Sequence, residues 1–454
     1  MKSHVLLWNS AVAALCASLV PCVAAQTNPA PVRSVLFQEV RIFDGRSAEL
    51  SAPSHVLVKG NKIEKISREP IPTDDRATTV LVHGQGKTLM PGLIDAHVHT
   101  MMESIPLGVA LTSDIGYINL VAAKAAEKQL RRGFTTVRDA GGASFALKRA
   151  IDTGLFEGPR IYPSGAIISQ TSGHGDFRMP TETPRDRGAP LTYQERTGMT
   201  AIADGVPEVL LRTRENLMKG ASQIKVMAGG GVASNFDPLD VTQYTEAELR
   251  AAVEAAANWN TYVTVHAYTP AAVQMAIKAG VKCIEHGQML DEATVKLMAE
   301  KQIWWCLQPF LDDEESTPFP EGSPNRLKQL MMVRGTDKAY ELAKKHKIRT
   351  AFGTDTLFDS AIAATQGKQL AKLVRWYTPA EILKMATADN ADLLAMSGPR
   401  NPYPGKLGVV EEGALADLLL VDGDPTADIK LIIDPEKNFP VIMKDGKIIK
   451  NTMP

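Results

Sequence analysis

Between residues 91 and 355 the chain repeats one pattern, a short apolar or β-branched run followed in most cases by a helical stretch. The runs are LIDAHVH, FTTVRDAGG, RIYPSG, QIKVMAGGG, TYVTVHAY, KCIEHG, IWWCLQP and IRTAFGTD. A strand that returns parallel to its predecessor needs a crossover of a dozen or more residues, usually a helix. Such alternation therefore predicts a parallel sheet covered by helices. Eight units are the number that closes into a (β/α)8 TIM barrel, here expected over residues 91–398. Helix signals punctuate the pattern. Thr245-x-x-Glu248 is a capping box opening EAELRAAVEAAANW. Thr269-Pro270 opens AAVQMAIKAG, which Gly280 stops, so one complete βαβ unit reads from Tyr262 to His286.

The flanks read differently. Residues 26–90 contain SVLFQEVRIFDG, HVLVKGNKIEKI and TTVLVHGQGKTLM, with hairpin signals at Asp44-Gly45 and Gly60-Asn61. Residues 399–454 return to strands in LGVVEEGALADLLLVDG and PVIMKDGKIIK. Neither flank has enough strands to bury a face alone, so the two are expected to pair into one small β-sandwich. Two long loops, 173–204 and 309–335, follow strands three and seven; on a barrel they lie on the face that carries chemistry, as walls or lids.

The first 25 residues have the layout of a cleavable signal peptide: Lys2, the apolar VLLWNSAVAALCASLV, then Val23-Ala24-Ala25. The expectation is a secreted or periplasmic protein. A lipoprotein signal, with Leu19 three before Cys22, ranks lower because Pro21 stands where a small residue is expected. Cleavage would leave Cys283 and Cys306, which read as small buried residues on consecutive strands, with a single bridge as the other reading. No later run is long enough to span a membrane.

With 50 basic and 51 acidic residues the net charge is −1, which leaves no footprint for nucleic acid or a polybasic membrane patch. The substrate should be a small molecule or short peptide. Polar residues gather at the C-terminal ends of the apolar runs. Strand one ends on His97 and His99, which share a face because side chains alternate along a strand. Strand four carries Lys225, strand five His266, strand six His286 and strand eight Asp355. Each would be costly to bury unpaired, and a barrel brings all six to one rim, so they read as a metal site. Tyr268 is two positions after His266 and shares its face. His174 stands between glycines in SGHGD, where packing gives an imidazole little reason to be, and reads as a substrate contact. Gly229-Gly230-Gly231 lacks the Lys-Ser/Thr of a phosphate loop and reads as a turn that lets backbone approach the pocket.

PGLIDAHVH, HAYTPAAVQMAIKAGVKCIEHG, AFGTDT and EEGALADLLLVDGDP resemble the amidohydrolase superfamily over nearly all of the chain after residue 25. The likeness is to the subgroup of imidazolonepropionase-like sequences, prolidase-like dipeptidases, carboxypeptidase-type hydrolases and ochratoxin-degrading amidohydrolases. The resemblance implies that His97, His99 and Asp355 hold one metal and His266 and His286 a second. It implies that Lys225 bridges them as a carbamate, and that Asp355 acts as general base and acid. Nitrogen and oxygen ligands without thiolate suit Zn²⁺ and also accept Co²⁺ or Mn²⁺. The implied activity is hydrolysis of an amide or peptide bond beside a C-terminal amino acid, including ochratoxin-type N-acyl compounds. Two alternatives stay open: a mononuclear cyclic-amide hydrolase or deaminase, and a non-catalytic metal- or ligand-binding protein. The resemblance also allows a homo-oligomer.

Overall fold

The structure, a computed structural model, describes residues 34–73, 78–186 and 188–453. The segment read as a signal peptide, with Cys16 and Cys22, lies outside the described residues. Five strands come first: β1 (Ser34–Ile42), β2 (Ser54–Lys59), β3 (Lys62–Ser67), β4 (Thr79–His83) and β5 (Thr88–Pro91). Ten strands follow, most of them separated by helices: β6 (Leu93–Val98), β7 (Phe134–Asp139), β8 (Arg160–Tyr162), β9 (Ile167–Ser169) and β10 (Thr200–Ile202), then β11 (Ile224–Met227), β12 (Val263–Ala267), β13 (Cys283–His286), β14 (Trp304–Leu307) and β15 (Thr350–Phe352). Three close the chain: β16 (Leu418–Val421), β17 (Val441–Lys444) and β18 (Lys447–Asn451).

The flanking strands do pair across the sequence, in one sheet ordered β18-β17-β16-β5-β1-β2-β3 with β4 also on β1. Its long strand β1 serves two ladders. Residues 34–40 pair with β2 and β4, residues 41–42 with β5, and Glu39 at φ 54° marks the irregularity between them. The sheet curls until its far turns meet, since a Cβ on Gly446 would lie 1.8 Å from the Gly60 carbonyl oxygen. Alternate residues fill the inside, among them Phe37, Val56, Ile63, Leu418 and Val441. Each such side chain contributes roughly 1.5–3 kcal/mol by leaving water.

The central strands are parallel, as the alternation predicts, but they form two ladders rather than one closed ring: β6-β7-β8, and β10-β9-β11-β12-β13-β14-β15. The first break lies within sequence run three. Pro163 has no N–H to give a ladder, and Gly165 adopts φ 78°, so β8 stays with β7 while Ile168 of β9 pairs with Val226. A side chain bridges the gap: Gln223 Nε2 donates to the carbonyls of Asp139 (3.1 Å) and Tyr162 (2.9 Å). The second break, between β15 and β6, is bridged in the same way. Asn390 Nδ2 donates to Ile94 O (2.7 Å) and Phe352 O (2.9 Å), and Asp355 N donates to His97 O (2.8 Å). The chains come so close here that a Cβ on Gly353 would sit 2.4 Å from that of His97.

Helix signals settle as read. Glu248 Oε2 accepts from Thr245 N at 2.8 Å, and Gly280 ends its helix at φ 104°. Loop 173–204 contains a short helix and β10, and loop 309–335 contains the helix Pro324–Val333. Cys283 and Cys306 are buried and free. No helix among the described residues is long and apolar enough to cross a membrane.

Candidate active site

His97, His99, Lys225, His266, His286 and Asp355 all line one small cavity, and His174 lines it with them. Strand alternation brings Lys225 and His266 there directly. On β11, Ile224 and Val226 face the helices, so Lys225 faces inward; on β12, Val263 and Val265 do the same for His266. Alternation by itself would turn His286 away, since Glu285 beside it takes the inward position. His286 instead adopts φ 74°, and Asp355, beyond β15, adopts φ 51°. Both are left-handed backbones that non-glycine residues seldom occupy, and such strain concentrates at functional sites.

His97 Nε2 and His99 Nε2 each lie 3.2 Å from Asp355 Oδ1, and Lys225 Nζ lies 3.3 Å from His97 Nε2. Ligand atoms of His97, His99 and Asp355 all fall within 4.8 Å of one another, a group that could hold a metal ion. The rings of His266 and His286 are 4.5 Å apart between centroids, beside His97 at 5.0 Å from His286.

Each of the four imidazoles has one nitrogen tied to an acceptor. His97 Nδ1 is 2.6 Å from Glu285 Oε2, His99 Nδ1 is 3.1 Å from Gly141 O, His266 Nε2 is 3.0 Å from Gly230 O, and His286 Nδ1 is 2.8 Å from Gln308 Oε1. An N–H given to each acceptor leaves the opposite nitrogen with its lone pair free, which is the arrangement of metal-ligating histidines. Burial, with the charges of His174, His286 and Lys225, holds His266 well below its ordinary pKa. His286 is pushed down to about 3, chiefly by burial. Both are therefore neutral at pH 7 and able to ligate. Burial works against the charged form of Asp355, but His97, His99 and His286 hold it well below the usual carboxylate range. Lys225 is 1% exposed with no carboxylate in ion-pair range among the described residues, and burial lowers its pKa.

Behind these residues stand groups the sequence reading did not single out. Glu285 is fully buried between His97 and Arg138, whose Nη2 donates to Oε1 at 2.6 Å. Its signal lay in KCIEHG, where a glutamate inside an apolar run demands a partner. Asp95 accepts from His97 N (3.0 Å), Thr354 N (3.2 Å), Thr354 Oγ1 (2.8 Å) and Gln366 Nε2 (2.8 Å), tying the segments that carry His97 and Asp355 together.

A second, larger cavity of about 200 Å³ opens above the site. His174, His266, Tyr268 and Asp355 form its floor, and Phe310 and Phe319 are among its walls. Loop 309–335 thus supplies walls, and loop 173–204 supplies His174 of the floor. The Tyr268 ring lies 5.0 Å from His266 and 5.2 Å from His286, and its hydroxyl donates to no group among the described residues. Arg178 and Arg185 do not face this cavity. Arg178 is held by Asp176 at 2.6 Å and Arg185 by Glu195 at 2.9 Å.

Residues 88–452 match the Amidohydrolase family. Ochratoxinase of Aspergillus niger is 34% identical over 443 residues, covering 95% of this chain and 89% of the Aspergillus protein. Among solved structures, a prolidase complexed with N-methylphosphonate-L-proline superimposes with a TM-score of 0.82 at 34% identity, over 92% of this chain and 100% of that one. A Xaa-Pro dipeptidase with methionine bound in its active site gives a TM-score of 0.78 at 28% identity, over 92% and 100% of the two chains. The chain belongs to the amidohydrolase family, and it is a hydrolase acting on amide bonds.

Proposed function

We propose that the protein is an exported, binuclear metal hydrolase that cleaves an amide or peptide bond next to a C-terminal amino acid. The observation that carries this reading is the set of four imidazoles lining one cavity, each with one nitrogen tied to an acceptor. His97, His99 and Asp355 would hold one ion, His266 and His286 a second, on the eight-stranded barrel the family uses. Lys225, as a carbamate, would be shared between them. The burial that lowers Lys225 favours the neutral amine, the form that adds to CO₂ with loss of a proton. The product is an anionic oxygen donor, which suits a cavity where a free ammonium has no carboxylate within ion-pair distance among the described residues. Two divalent ions, with Zn²⁺ the best match to nitrogen and oxygen ligands, would supply Lewis-acid polarisation of the scissile carbonyl and acidify water.

The protein's own residues do the rest. Asp355, held ionised, accepts the proton of the attacking water and passes it to the departing amine. Tyr268 and His174, both lining the cavity, would contact a substrate oxygen. Phe310 and Phe319 offer an apolar wall to a bulky acyl group or side chain. The likeness to an ochratoxinase, a prolidase and a Xaa-Pro dipeptidase favours a substrate of this class. A mononuclear cyclic-amide hydrolase would have no use for Lys225 at the centre.

The test is metal content and a paired substrate series on purified, metal-replete protein. About two ions per chain are expected, since six ligands exceed the four one zinc uses. N-acyl amino acids and dipeptides with a free carboxylate should be preferred over their C-terminal amides. The loss of roughly 1–3 kcal/mol from donors left unpaired is about ten- to a hundredfold in kcat/KM. Full activity with one ion removes the binuclear reading; equal rates on acid and amide remove carboxylate recognition.

A further inference from the structure

Gly231 shows what the glycine run is for. A Cβ there would lie 1.9 Å from His174 Nδ1, so a side chain at 231 would occupy the place of the imidazole ring. That ring stacks on His266 with centroids 4.1 Å apart. Its backbone N donates to Gln243 Oε1 at 3.0 Å. Its Nδ1 faces the loop that follows the glycines, 2.6 Å from Ser234 Oγ and 3.5 Å from Asp237 Oδ2.

Asp237 is 3% exposed. Oδ2 accepts from Gly231 N at 2.7 Å, while Oδ1 has no hydrogen-bond partner among the described residues. A buried carboxylate with an idle oxygen is a costly way merely to pin a loop, because its desolvation is not repaid in bonds. The loop is in any case held from its other side. Lys328 Nζ donates to Ser234 O (2.6 Å) and Asp237 O (3.2 Å), and Asn325 Nδ2 donates to Val232 O (2.7 Å).

We propose that Asp237, with Ser234, is a positioning residue for His174: it fixes the rotation of the ring so that Nδ1 faces the loop and Nε2 faces the substrate cavity. This rests on reading His174 as a substrate contact. Asp237 lines neither cavity; besides the imidazole it holds Gly231 N, and it accepts from Gln243 Nε2 at 3.5 Å.

The experiment is a double-mutant cycle with a crystal structure. Asp237→Ala should lower kcat about tenfold to a hundredfold, the scale on which misplacing one group by about 1 Å acts. Metal content should stay as in the parent, and the melting temperature should fall only by what the lost bond to Gly231 N costs. Asp237→Asn keeps an acceptor oxygen and should recover part of the rate; it also carries the test if Asp237→Ala does not fold. The His174→Ala/Asp237→Ala protein should be no slower than His174→Ala alone, since nothing remains to position. A merely structural Asp237 would add its own loss and overturn the proposal. Crystals of the Asp237 variants should show the ring turned off its stack with His266; a ring left in place overturns it independently of activity. If the parent cleaves no amide of the proposed class, the functional reading fails while ring position still decides this one.

Discussion

Glu285→Gln tests whether the groups behind the cavity matter as the geometry requires. Glu285 is fully buried; Oε2 meets His97 Nδ1 at 2.6 Å, and Oε1 accepts from Arg138 Nη2 at 2.6 Å and from Thr264 Oγ1. Burial works against its charge, yet Arg138, His97 and Lys225 hold it well below the usual carboxylate range. Glutamine is nearly the same shape without the charge, so the guanidinium of Arg138, itself 1% exposed, loses its buried counter-ion. Removing one partner of a buried pair costs about 3–5 kcal/mol. The amide also cannot serve both neighbours. Oriented toward Arg138, it places an NH₂ against His97 Nδ1–H, and the ring must change tautomer, protonating the nitrogen that should ligate. Outer partners of this kind are worth about 10- to 100-fold in metal affinity. Urea unfolding and metal titration of the variant read the two effects separately. The Arg138→Met/Glu285→Met protein should regain most of the stability, because no charge is left unpaired, but not the metal affinity. Glu285→Gln with stability within about 1 kcal/mol of the parent and unchanged metal affinity would refute the reasoning, since either effect alone exceeds that.

Lys225→Ala should lose metal and activity together, and a short carboxylic acid in solution should restore part of both; normal turnover in Lys225→Arg would argue for a plain cation, since arginine cannot form the carbamate. Gly353→Ala should lower metal affinity, because its Cβ would meet that of His97 at 2.4 Å and push the two ligand strands apart; unchanged metal binding by titration would show that the seam yields elsewhere. Glu103 is pushed up to about 7, chiefly by burial, with Asp95 and Asp139 adding to the rise against Arg132. The folded protein therefore holds a proton that the unfolded chain releases near 4.5, so this contribution is complete below that pH and is lost as pH rises toward 7. The loss is about 3 kcal/mol at about 1.36 per unit, and Glu103→Gln should abolish it in urea midpoints measured from pH 4.5 to 8. Parallel pH profiles for parent and variant would contradict this.

What the amino-acid order determined by itself is the set of inward-facing residues at the strand ends. His97, His99, Lys225 and His266 were legible because alternation has a period of two and because a polar group inside an apolar run must find a partner or a metal. The paired flanks were legible because neither could bury a face alone. Tertiary structure decided what stands behind each of these residues. Glu285 reaches His97 across 188 positions, Gly141 reaches His99 across 42, and Gly230 reaches His266 across 36, so these pairings depend on strand register that no local pattern encodes. It also decided the direction of His286 and Asp355, where left-handed backbones override the alternation that would have turned His286 away. The same holds for the two gaps in the parallel ladders. Pro163 and Gly165 interrupt a strand locally, but only the folded chain brings Gln223 and Asn390 to the carbonyls that a continuous ladder would have satisfied, because buried carbonyls need a donor wherever in the sequence one can be found.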